Sequence, residues 1–173
     1  LINLKANTYR NMGDFRNADE TFLKARDWID DNLGKGNIKY VENQLWLGQM
    51  LEENGLDPKT ARKTYEDALS ALKRKHNESH YLALEIYESL LNSYLVNNEM
   101  ARFKNLDSEY ERVIKKYFDK NSINYVKLDA MKFRASLDAD KTKNLERKVQ
   151  EILYLDVIPE YHQVRIKMLN LAY

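Results

Sequence analysis

The chain contains no cysteine among its 173 residues. A disulfide framework and a thiolate metal site are therefore excluded. The absence fits a reducing compartment, and a cytoplasmic location is the expectation. Proline is nearly missing, with two residues, and glycine is scarce, with five. Both break helices, so their scarcity fits a chain that is mostly helical. No apolar run approaches the ~18 residues of a membrane-spanning helix, and no signal peptide is visible. Charge of one sign is lacking too: 28 basic and 27 acidic residues leave a net charge of +1. Such a balance gives no general field for nucleic acid or an anionic membrane, and neither is expected as a partner.

What is present is a folding composition, 43% hydrophobic and 32% charged. Within it one pattern occurs twice. Ala6-x-x-Tyr9-x-x-x-Gly13 leads to Ala18-x-x-x-Phe22-x-x-Ala25, and Gly48-x-x-Leu51-x-x-x-Gly55 leads to Ala61-x-x-x-Tyr65-x-x-Ala68. The offset is 42 residues in the first half and 43 in the second. Self-similarity at this period points to a solenoid of stacked helix pairs.

The periodicity predicts the following helices. The first runs through Leu4, Tyr9 and Met12 to Gly13, and the second from about Asp14 to Asn32. A Gly-rich loop precedes the third, which carries Val41, Leu45, Gly48 and Leu51 and ends at Gly55. Asp57-Pro58 is a start signal for the fourth. That helix ends in Lys73-Arg74-Lys75-His76, cations that suit the negative end of a helix dipole. A short nucleic-acid patch is the other reading of that run. Ser79 is the expected cap of the fifth helix, and Asn97-Asn98 replaces glycine in the next turn. Phe103 to Tyr117 form the sixth, Ser122 opens the seventh, Leu145 to Leu155 mark an eighth, and Pro159 begins a ninth. Tyr40, Tyr81 and Tyr125 recur where first helices begin and are expected to wedge between repeats. The pairs then fall at 1–33, 38–76, 79–118 and 121–156, with the first helix of a fifth at 158–173. Neither chain end reads as a polar cap, which suggests a fragment of a longer protein.

The small-x-x-aromatic-x-x-x-Gly and Ala-x-x-x-aromatic-x-x-Ala signatures resemble the tetratricopeptide repeat. The longer period and junctions such as Asn37-x-x-Tyr40 are similar to its kinesin-light-chain subtype. The resemblance is strong over residues 1–75 and fades beyond. It implies an all-α, right-handed superhelical solenoid, a role in protein–protein recognition through the concave face, and no catalysis or cofactor. It also implies that the position after the small Gly or Ala faces the groove, which selects Asn7 and Gln49, and the register carried into the third pair adds Asn92, just after Leu91. Their side-chain amides donate and accept at once and can read an extended peptide backbone. Asn3, Arg10 and Asn11 flank the first of these, Glu42 and Glu53 the second, and Glu85 and Glu88 the third. Simple solvated polar residues are the alternative. The acidic middle would favour a peptide with Lys or Arg. Trp46 has two readings, groove anchor or packing between repeats, whereas Trp28 reads as structural.

Other motifs carry little. Asp138-x-Asp140-x-Thr142 spells a phosphotransferase signature, but it joins two expected helices and lacks the strand that chemistry needs. As a calcium loop it fails at Lys143 and Val149. His76 and His80 straddle a helix break and read as exposed, unpaired histidines. No metal site is expected. Two further roles stay open: a regulatory arm of a larger enzyme such as a caspase-like protease or a histidine kinase, with an intramolecular partner domain, and a peptide-pheromone receptor domain.

Overall fold

A computed structural model describes residues 2–55, 57–76, 78, 80–120 and 122–135. Among these residues the regular structure is entirely α-helical. The helices are α1 (Ile2–Asn11), α2 (Phe15–Leu33), α3 (Ile38–Glu53), α4 (Pro58–Lys75), α5 (Tyr81–Val96), α6 (Met100–Tyr117) and α7 (Ile123–Ala135). The expected eighth and ninth helices, the cap at Ser79 and the Asp138–Thr142 segment lie outside the described residues. The chain divides after Ser93, within α5, into two compact units.

The helix starts follow from local chemistry. Asp14 accepts a hydrogen bond from the Asn17 amide at 3.2 Å, and Asn37 accepts one from Lys39 at 2.9 Å. Asp57 does the same for Lys59 at 2.9 Å, with Pro58 in the first turn. Each satisfies an amide that has no partner within its own helix. At the other ends, Gly13 takes φ 75° and Asn98 takes φ 57°. The Asn98 value is the left-handed turn expected of that asparagine, whose short side chain tolerates it.

In the first unit α1 packs on α2, α2 on α3 and α3 on α4, and α1 also touches α3. A shared core joins Ala6, Ala18, Phe22, Leu47, Met50, Leu51 and Ala61. Its small members sit where helices approach closely. A Cβ on Gly48 would lie 2.5 Å from the Tyr65 ring, so α3 and α4 can approach this closely only because Gly48 has no side chain. Helix α3 is enclosed by its neighbours and buries ten of its sixteen residues, polar ones included. In the second unit α6 packs on α7, with Phe103, Tyr110, Val113 and Ile114 buried on α6 and Val126, Leu128, Ala130 and Phe133 on α7. Lys132 reaches across to Glu111 at 2.5 Å and to Asp107 at 3.9 Å.

On α1 the buried residues are Asn3 and Ala6, whereas Leu4 and Met12 are exposed. Three expectations need correcting. Tyr40 is buried as a wedge would be, but Tyr81 is 58% exposed and stacks on His80 at 4.7 Å. Trp28 is 51% exposed and borders a hollow of about 290 Å³ with Ile2, Leu4 and Leu33. His76 and His80 are half-buried and engaged: His76 Nε2 donates to the Gly36 carbonyl at 2.9 Å, and His80 Nδ1 accepts from the Leu82 amide at 3.2 Å.

Candidate functional site

Four of the residues singled out in the sequence, Asn7, Arg10, Gln49 and Glu53, meet between α1 and α3. Asn7 and Arg10 lie one turn apart on α1, and Gln49 and Glu53 one turn apart on α3. Spacings of three and four residues place side chains on one helix face. Arg10 crosses between the helices. Its Nε donates to Glu53 Oε2 at 2.7 Å and its Nη2 to Glu53 Oε1 at 2.5 Å, a two-pronged ion pair. Its Nη1 donates to Gln49 Oε1 at 2.9 Å and to Asn7 Oδ1 at 3.3 Å. The Arg10 side chain is 15% exposed and that of Glu53 is 49% exposed. Arg10's hydrogen bonds hold the Glu53 carboxyl below its ordinary range, against a smaller opposing effect of burial. Asn11, the last residue of α1, is exposed.

Asn3 and Glu42, expected beside the amides, are instead buried and used within the fold. Asn3 Nδ2 donates to the Lys39 carbonyl at 2.9 Å and to Glu42 Oε2 at 3.3 Å. Lys39 Nζ completes the charge balance of Glu42 at 3.0 Å. Beneath them runs an amide chain that the sequence reading missed. Asn43 donates to Asn3 Oδ1 and to the Phe22 carbonyl, each at 3.0 Å, and Gln44 donates to Asn43 Oδ1 at 3.0 Å. Burying such groups is tolerable because their bonds are made. Trp46 is half-buried and packs against the core cluster.

A second polar cluster, also missed, lies one turn along α3. The Tyr65 hydroxyl donates to Glu52 Oε2 at 2.9 Å. Burial raises the Glu52 carboxyl above its ordinary range, which the Tyr65 bond and the neighbouring Ser93 hydroxyl oppose. Burial likewise pushes the Tyr65 phenol up, Glu52 adds to that, and Ser89 stands at its oxygen. Glu52, Tyr65, Ser89 and Ser93 thus bring α3, α4 and the first part of α5 together. Of the three α5 residues expected in the site, Glu85 is exposed, while Glu88 and Asn92 are half-buried. A polar residue on a helix enclosed by neighbours was the available signal for these clusters. Glu42-Asn43-Gln44 sits in the middle of the most buried helix.

Among the described residues no three His, Asp or Glu side chains stand close enough to share a metal ion. Nor is any described helix long and apolar enough to cross a membrane. The arrangement offers hydrogen bonding and charge. Scanned against protein-family models the chain matches none, and no curated protein matches it.

Proposed function

We propose that this chain is a protein–protein interaction module, a tetratricopeptide-like solenoid whose first helices line a face that binds an extended segment of another protein. The reading assigns it no chemistry and no cofactor of its own. One observation carries it. Asn7 and Gln49, equivalent positions of successive repeats, stand side by side on α1 and α3, linked through Arg10. A ladder needs that juxtaposition, and a merely solvated helix face does not. The fully buried small residues Ala6, Ala18 and Ala61 support repeat-type stacking, as does the close approach at Gly48. Contact between α1 and α3 puts first helices next to each other, as a solenoid requires. Half-buried polar side chains over a packed core suit recognition by hydrogen bonds at an accessible face.

The test is capture from native lysate by the wild type and by an Asn7→Ala, Gln49→Ala, Asn92→Ala variant of unchanged helicity. A partner held by the wild type and lost by the variant is the expected result. A partner held equally by both puts the binding surface elsewhere. Capture by neither would favour the alternative of a regulatory arm that acts on another domain of the same protein.

A further inference from the structure

The Arg10 contacts fix more than the spacing of the two amides. A guanidinium donates and never accepts. Arg10 Nη1 bonds both Asn7 and Gln49, so each amide must turn its oxygen toward Arg10. An Asn or Gln side chain is otherwise free to present either end. Here the NH2 ends of both point away from the guanidinium, and both residues are half-buried and accessible. Four of the five Arg10 N–H groups are already used, two of them by the Glu53 carboxylate.

We infer that Arg10 is a positioning residue that makes the α1/α3 face a surface of outward N–H donors, fitted to the carbonyl edge of an extended peptide. This rests on the recognition role proposed above and specifies what that face reads. The same geometry disfavours a carboxylate at this point, because the Arg10 charge is already matched by Glu53 at two contacts. Partner side chains are not read by the amides, so this element of recognition is independent of sequence.

The experiment uses the full chain labelled with 15N and two probe peptides. One is a capped pentapeptide of alternating alanine and lysine. The other is the same peptide methylated at every backbone nitrogen, which keeps the carbonyls and removes the N–H groups. The side-chain NH2 signals of Asn7 and Gln49 are followed during titration. Both peptides should move both signals, with affinities equal within about twofold, less than the two- to tenfold that one lost hydrogen bond costs. In Arg10→Met, of matched helicity, the amides can turn and the unmethylated peptide should gain preference. Lys24→Gln, at an exposed position of α2 that takes no part in the Arg10 bonds, should behave as wild type. Movement by the unmethylated peptide alone would overturn the donor assignment while leaving the recognition face intact. Movement by neither peptide would overturn the assignment and the proposed face together.

Discussion

Gly48 and Tyr65 touch where α3 crosses α4: a Cβ on Gly48 would sit 2.5 Å from Cε1 and 2.8 Å from Cδ1 of the ring. Tyr65 is fully buried and its hydroxyl is held by Glu52, so the ring has nowhere to move. Gly48→Ala should therefore cost roughly 2–3 kcal/mol through overpacking. Set against the ~1 kcal/mol by which alanine favours a helix, the net destabilisation should be about 1–2 kcal/mol. Urea unfolding checks it, and an unchanged or higher midpoint would contradict the packing described.

Asn98 occupies the left-handed region that glycine occupies at Gly13. Asn98→Ala should cost about 1 kcal/mol, the penalty of a Cβ in that conformation. Asn98→Gly should stay within roughly 0.5 kcal/mol of wild type, since relief of strain offsets the greater freedom of the unfolded chain. Thermal unfolding of the pair of variants gives the comparison. Equal losses for both would mean that the asparagine side chain, not the backbone, matters.

These two positions also show what could be read in the sequence and what could not. Ala6, Ala18, Gly48 and Ala61 were legible because small residues recur in phase, and close helix crossing is what demands them. Asn98 was legible because the turn required its conformation. Tyr81 misled because a position at a helix start does not fix what its ring meets; the neighbouring helices do. Asn43 was illegible for a related reason. Its acceptors belong to residues 21 and 40 positions away, and nothing local announces them. Of the site, the pairing of Asn7 with Gln49 followed from the repeat. The guanidinium between them depends on a register that only the packed helices supply.

Glu52 makes a pH prediction. Burial raises its folded pKa above the unfolded value. The folded state then holds its proton more tightly, so this group's contribution is favourable at low pH and is lost as pH rises through the folded value. Glu52→Gln keeps an acceptor for Tyr65 and removes the penalty. It should stabilise at neutral pH, by less than about 1 kcal/mol once solvent screening is counted. Well below the carboxylate range it should change little. Unfolding curves at the two pH values decide, and a variant less stable at neutral pH would contradict the account.

Glu53 behaves with the opposite sign. Arg10 lowers its folded pKa, so the stabilisation is present above the unfolded value and is lost as pH falls through the folded one. A double-mutant cycle with Arg10→Met and Glu53→Gln should give a coupling of about 0.5–1 kcal/mol at neutral pH, shrinking with added salt and with acid. A coupling unaffected by either would mean that the two side chains act through packing alone.

The central claim is that a partner lies along α1 and α3 and not along α2 and α4. Hydrogen–deuterium exchange of the chain, with and without a captured partner, tests it most directly. The account predicts added protection in residues 2–11 and 38–53, which carry Asn7, Arg10, Gln49 and Glu53. Protection confined to residues 15–33 and 58–75 would contradict it.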